Sequence, residues 1–327
     1  MKLTQWTSCG GCAAKWGASP LDELVKLVAA GQGDDGDALL VGLAPFDDAA
    51  VYRLTDDVAL VSTTDFFPPL VDEPDDFGAI AAANAFSDLF AMGAQPVLAL
   101  NVAAFPEAFP AETIGEIFAA AAAVAREAGA VIAGGHTIRS EEPIFGLAAQ
   151  GVVHPDHIWT KAGARPGDAL VLSKPIGTGI VLAGGSDDDK AAAIARMRTL
   201  NRDAAAALAA LGEPPHAVTD VTGFGLLGHA WEMADRSGCT LEIDAAALPL
   251  YEGALALAEA GVRTGGDARN RTHLDAHVVS TASDAYAALG YDPQTSGGLL
   301  AAVEAGRVDG FTTIGRVVAG PAMVALT

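Results

Sequence analysis

Apolar residues recur along this chain with two spacings, and the switching between them divides it into helices and strands. Ser19-Pro20 reads as an N-cap and first helical position, and Leu21, Leu24, Val25, Leu27 and Val28 give the turns after it one apolar face that ends at Gly31. Residues 32–37 form a polar turn whose acidic residues lack the distal glutamate of a calcium loop. Strands are predicted at 39–43, 49–54 and 58–64. Residues 77–92 are apolar almost throughout and read as a buried helix stopped by Gly93. A buried strand at 97–104, an alanine-rich helix at 112–128 and a short strand at 130–133 come next. That strand runs into Gly134-Gly135-His136-Thr137, read as a turn, and one more apolar strand covers 144–153.

From His154 to Gly167 the chain turns polar, which places a boundary between an N-terminal domain at 1–155 and a C-terminal domain at 156–327. The second half is predicted to hold a strand at 169–173 and a loop at 174–179 entering a helix. A charged helix start follows at 187–190, with one helix after it over 191–211. Residues 219–229 are glycine-rich, with Thr222 as N-cap of a further helix. Residues 264–270 and 292–298 read as turn-rich, the latter leading into a last strand pair that ends near Leu326. Strands alternating with helices make this an α/β (α+β) chain.

Composition adjusts that picture in a few respects. A length of 327 residues suits two domains of roughly 150 each. Asp and Glu outnumber Lys and Arg by 41 to 19, a formal charge of −22, which argues against nucleic acid or an anionic membrane as partner. A polyanionic ligand would have to be met by metal ions, backbone N–H groups or a few placed cations. No apolar run reaches the roughly 18 residues of a membrane span, and Met1 to Trp6 is no secretory signal, so a cytoplasmic protein is expected. Three cysteines do not make a disulfide framework, in keeping with a reducing compartment.

Two regions carry candidate chemistry. Ser8 to Lys15 places Cys9 and Cys12 around two glycines, with Lys15 three residues beyond Cys12, where a nearby cation favours the reactive thiolate. The same residues also read as a plain terminus, or as a redox or zinc Cys-x-x-Cys, which needs a second ligand pair that the lone Cys239 does not supply. The other region is acidic. Asp47 reads best as a turn former, whereas Asp48 and Asp65, at strand ends beside apolar runs, read as a paired site. Asn84 and Asp88 lie four apart on one helix face, and a carboxylate in so apolar a helix calls for a partner or a metal. Asp48, Asp65 and Asp88 together are hard oxygen donors of the type that suits magnesium. Asp220 opens the glycine-rich 219–229 segment, and its His229 reads as an ordinary packed histidine. No Walker A motif occurs, nor a G-x-G-x-x-G after the first strand.

Seven segments taken in order resemble those of the selenophosphate synthetase (selenide, water dikinase) family. They are Cys12-Ala13-Ala14-Lys15, Asp47-Asp48-Ala49-Ala50-Val51, Ser62 to Phe67, Asn84 to Asp88, Gly134-Gly135-His136, Thr219 to His229 and Asp292 to Gly298. The resemblance covers nearly the whole chain. It implies a two-domain aminoimidazole ribonucleotide synthetase-like fold whose N-terminal domain completes a β-barrel in a homodimer. It also implies conversion of ATP, selenide and water to selenophosphate, phosphate and AMP. By position, Cys12 and Lys15 match catalytic residues, while Asp48, Asp88 and Asp220 match magnesium ligands with Asn84 in support. Asp65 and Gly135-His136-Thr137 match ATP contacts, and Lys15, Asp47 and Asp88 are added on the nucleotide side. A selenium-delivery protein is a possible partner. Many relatives read Cys-Gly-Cys-Lys where this chain has Cys12-Ala13-Ala14-Lys15, which leaves Cys9 as an accessory or a spare. Two alternatives stand beside this reading: another ATP-dependent enzyme of the superfamily, such as a thiamine-phosphate kinase, or a non-enzymatic Cys9/Cys12 redox or metal-binding protein.

Overall fold

The computed structural model describes residues 2–8, 10–14, 24–25, 27–28, 36–44, 46–304 and 306–327. They form two compact units: the first holds the described residues up to Ile158 together with Met197–Arg202, and the second holds Trp159–Arg196 and the described residues of Asp203–Thr327.

The first unit is built on a six-stranded sheet: β1 (Leu39–Val41), β2 (Ala50–Arg53), β3 (Ala59–Phe67), β4 (Gln95–Phe105), β5 (Val131–Arg139) and β6 (Ile144–Val153), in the order β1-β2-β3-β6-β4-β5. All neighbours are antiparallel except β4 and β5. Helices Pro74–Ala91 and Ala111–Glu127 form the layer on one face. The first of them starts with Pro74 in its opening turn and Asp75 and Asp76 beside it, a placement that suits the positive end of the helix dipole. It ends at Gly93, whose φ of 70° supplies the left-handed C-terminal stop. Packed between the sheet and the second helix, it is buried on all sides, which is why its sequence reads as apolar rather than amphipathic. Phe77, Phe118 and Phe145 interlock beneath it, with ring centroids 5.3 and 6.3 Å apart.

The expected turn at Gly134 to Thr137 is instead the middle of β5, an edge strand that runs on to Arg139. At Gly135, φ is 150° and a Cβ would lie 2.3 Å from the Asn101 carbonyl oxygen, so the glycine serves close strand contact where β4 and β5 shift register. The strand expected to be buried, β4, alternates between buried and exposed positions, because only one face of the sheet is covered by helices. Leu24, Val25, Leu27 and Val28 are helical as expected, with Leu24, Leu27 and Val28 exposed; the remainder of that helix lies outside the described residues.

In the second unit, β7 (Ala169–Leu172), β8 (Ala217–Asp220), β9 (Thr240–Ile243), β10 (Val278–Ser280), β11 (Leu299–Val303), β12 (Thr312–Val318) and β13 (Met323–Leu326) form one mixed sheet in the order β10-β13-β9-β12-β7-β11-β8. Its C-terminal part is three strands rather than a pair, and β9 and β10 are short strands without a legible pattern. Residues 265–274 are a helix, not a turn: Asn270 is buried and donates to the carbonyls of Gly223 and Tyr291, so the helix is held by polar contacts that hydropathy does not register. The single helix expected over 191–211 is broken into Asp187–Met197 and Arg202–Ala209. The break lies in the segment that belongs to the first unit, where Arg198 pairs with Asp75 and Asp76 and Asn201 donates to Ser87 at 2.8 Å.

Among the described residues no helix is long and apolar enough to cross a membrane.

Candidate active site

Strand alternation points Thr63 and Asp65 of β3 toward the helix layer, where helix Pro74–Ala91 presents Asn84 and Asp88 one turn apart. The two elements pair rung by rung. Thr63 Oγ1 donates to Asp88 Oδ2 and Asn84 Nδ2 donates to Asp65 Oδ2, each at 2.5 Å. Asn84 is fully buried and Asp65 nearly so. Asp88 differs from the expectation: among residues 77–91 it is the one not buried, because it looks out past the edge of the apolar layer. Asp48, half-buried ahead of β2, has a carboxylate oxygen within 4.8 Å of one of Asp88. Asp47 accepts the Asp48 N–H at 3.0 Å, the local bond of a turn former. The first unit therefore gathers Asp47, Asp48, Asp65, Asn84 and Asp88. His136 and Thr137 stand exposed on β5, which is separated from β3 by β6 and β4.

In the second unit Asp220 ends β8 in the interior of the fold, 1% exposed, and its Oδ2 has no hydrogen-bond partner among the described residues. Lys174, also buried, donates to the Ser296 carbonyl at 2.9 Å. Burial lowers its ammonium pKa to about 7, Arg196 adds to the shift, and Asp220 opposes it. Thr222 is not an N-cap, since the helix begins at Gly225. Its hydroxyl meets His229 Nε2 at 3.2 Å, and His229 Nδ1 lies 3.3 Å from Glu232, which also takes Lys161 at 2.7 Å. Burial opposes ionisation of Glu232, yet the charges of Lys161 and His229 and their hydrogen bonds hold its carboxyl well below the usual range. His229 is thus a packed histidine that braces the glycine-rich loop from below.

The segment 292–298 buries its polar groups against the start of helix Thr178–Gly184. Asp292 accepts from the N–H groups of Gly179 and Ile180, and Gln294 Oε1 from those of Gly177 and Thr178 and from the Thr178 hydroxyl. Burial lifts Asp292 to about 7 against the pull of these donors. The sequence reads this stretch as turn-rich and as one of the seven segments that resemble the family, with no role given to any of its residues; the signal it carries is a carboxylate and a carboxamide two residues apart. Thr63, Lys174, Lys161 and Glu232 have no role in the sequence reading either; Thr63 meets Asp88 and Glu232 meets His229, while Lys161 reaches the site through Glu232.

Cys12 lies in a short 3-10 turn, Gly11–Ala14. Cys9 and Lys15 lie outside the described residues, as does the Cys12 side chain.

Residues 46–153 match the family model of the AIR synthase related protein N-terminal domain, and residues 165–325 match that of its C-terminal domain. The fold is therefore the two-domain α/β architecture of the AIR synthase relatives. A thiamine monophosphate kinase from Aquifex aeolicus shares that fold, with a TM-score of 0.69 at 20% identity over 95% of this chain and 96% of its own. Much closer in sequence is the selenide, water dikinase of Caldanaerobacter subterraneus subsp. tengcongensis, 46% identical over 93% of this chain and 88% of the relative. That of Myxococcus xanthus is 44% identical with the same coverage. The chain belongs to the selenide, water dikinase family.

Proposed function

We propose that this chain is a phosphotransferase that makes selenophosphate from ATP, selenide and water, with AMP and phosphate as the other products. Its relationship to the selenide, water dikinases over almost its whole length carries the reading. Both outer phosphates leave the nucleotide: the P–O bond to the γ-phosphorus breaks as selenide forms its P–Se bond, and water then displaces the β-phosphate from ADP.

Asp48, Asp88 and Asp220 would hold magnesium, with Asn84 in support. The donor set fits the ion: all are hard oxygens, and the buried Asp220 oxygen without a donor is the kind of group a cation satisfies. When bound, magnesium would neutralise phosphate charge that a chain of −22 otherwise repels. Asp47, Asp65, Gly135, His136 and Thr137 are proposed ATP contacts. The Asn84 bond to Asp65 keeps that carboxylate in one orientation. Cys12 is proposed as the group that handles selenium and Lys15 as the cation beside the transferring phosphoryl, the arm that carries them excluding bulk water from the first step.

A cytoplasmic homodimer is part of the reading, and a selenium-delivery protein is a possible partner. The dimer is supported by the sheet face away from the helices, where Tyr52, Phe66, Leu100 and Ile138 are between 38% and 56% exposed, a larger apolar surface than isolated side chains give. Light scattering that returns a monomer at micromolar concentration would exclude it. The chemistry is tested by phosphorus NMR of a reaction with ATP, magnesium and selenide, in which AMP and selenophosphate appear in equal amounts. Accumulation of ADP without a selenophosphate resonance would replace the dikinase with a single-transfer kinase on the same fold.

A further inference from the structure

Residues 220–225 lead from the end of β8 into the helix Gly225–Ser237, and the 292–298 segment holds their backbone. Val221 donates its N–H to the Gly298 carbonyl at 2.9 Å, and the Thr222 carbonyl accepts the N–H groups of Gln294 and Gly225, each at 3.0 Å. The loop's side chains are held by a different set of groups. Thr222 and His229 are both buried, and the Thr222 hydroxyl meets His229 Nε2 at 3.2 Å. The Phe224 ring packs beside the same imidazole, with centroids 5.6 Å apart.

The other imidazole nitrogen, Nδ1, is buried with no hydrogen-bond partner among the described residues, and the Glu232 carboxylate stands 3.3 Å from it. Glu232 lies one turn further along the helix and takes the Lys161 ammonium at 2.7 Å. Burial opposes its ionisation and the Lys161 charge overcomes that, so the group facing Nδ1 is a carboxylate. A neutral imidazole carries one proton, and the nitrogen that holds it is decided by what the two nitrogens meet. A carboxylate only accepts, so it favours the proton on Nδ1. Nε2 is then a bare acceptor, and the Thr222 hydroxyl is the donor of their bond. With the proton on Nε2 instead, the Nδ1 lone pair would face the carboxylate, acceptor against acceptor. We propose that Glu232 is a positioning residue: its carboxylate sets the Nδ1–H tautomer of His229, which makes Thr222 donate to the ring and holds the loop after Asp220 in one conformation. The consequence for magnesium rests on the reading of Asp220 as a ligand of that ion; the tautomer does not. An ordinary hydrogen bond shifts the population of the state that makes it by a factor of about five. Apparent affinity falls with the fraction of molecules in the competent state, so losing the Thr222 bond should raise the magnesium concentration for half-maximal rate by up to about fivefold. Saturating magnesium repopulates that state, and kcat recovers.

The test uses the isotope-labelled full chain at about pH 8.5, well above the ordinary histidine value. Long-range proton–nitrogen correlation spectra show which ring nitrogen carries the proton, and His229→Gln identifies the His229 signals. The same samples give the magnesium dependence of selenide-dependent turnover and the amide exchange of residues 221–225. The parent should show Nδ1–H. Thr222→Val should keep that tautomer, raise the magnesium requirement about three- to fivefold with saturated kcat within about twofold, and speed exchange in the loop. Thr222→Ser, which restores the hydroxyl, should return both measures toward the parent. Lys161→Met with Glu232→Met replaces the buried pair by apolar side chains of similar size, an exchange that avoids a stranded charge. There the remaining partner of the ring is the Thr222 oxygen, so the proton should move to Nε2, and the magnesium requirement should lie between those of the parent and Thr222→Val. A proton on Nε2 in the parent overturns the proposal. So does a double variant that keeps Nδ1–H, or a Thr222→Val chain whose loop exchange and magnesium requirement match the parent. If Asp220→Asn leaves the magnesium requirement unchanged, the reading of Asp220 falls by itself, and the spectra with the loop exchange then decide the role of Glu232.

Discussion

Asp220→Asn separates what the second unit gives up in stability from what it gains in binding. In the ligand-free chain Asp220 is 1% exposed and its Oδ2 lacks a hydrogen-bond partner among the described residues. A buried acceptor left without a donor costs about 1–3 kcal/mol, and a charged one more. Lys174 returns part of this through its ammonium. Burial lowers its pKa to about 7, which weakens that compensation near neutral pH. Replacing the carboxylate by an amide of the same size removes the uncompensated charge, and the net gain should be about 1 kcal/mol. For a unit of this size that corresponds to a rise of roughly 2–4 °C in Tm. Magnesium and ATP at about a hundred times Kd should stabilise the parent by about 2.7 kcal/mol, and the variant should lose most of that gain. Differential scanning calorimetry with and without magnesium and ATP should therefore show the two proteins crossing, the variant melting higher alone and lower with ligand. A variant that melts lower alone and still takes the full shift from magnesium and ATP would refute the reasoning.

Two further outcomes follow from the site. Burial lifts Asp292 from an ordinary 3.8 to about 7, so between those values the folded chain keeps a proton that the unfolded chain has lost, and this group's stability contribution falls as pH rises through that window. Asp292→Asn should flatten the pH dependence of Tm there, and an unchanged slope would mean that Asp292 is ionised throughout. Cys12→Ser should abolish selenide-dependent turnover with equilibrium ATP binding within twofold of the parent, whereas Cys9→Ser should be mild; equal losses in both would make the two thiols a single functional unit.

The helix Pro74–Ala91 is legible to within three residues because its apolar run and the glycine after it are local signals, and burial on every side leaves no competing reading. The acidic positions were legible as well, since a carboxylate at the end of an apolar strand or inside an apolar helix is costly enough to need a reason. Pairing Asp65 with Asn84 and Asp88 with Thr63 was not, because the partners lie 19 and 25 residues apart and meet only when strand β3 packs under the helix. The same limit explains the errors. Gly134-Gly135 looks like a turn until β4 lies beside it, and the 191–211 helix has no local breaker at Arg198, whose partners Asp75 and Asp76 are more than a hundred residues away. The helix Gly265–Leu274 shows no apolar stripe because it is held by Asn270 reaching two distant carbonyls. Periodicity and composition act over a single turn or strand, so they settle which residues are chemically expensive and which face they share. Which of those residues satisfy one another, and that Lys161 reaches Glu232, is decided by contacts that form only when distant segments pack together.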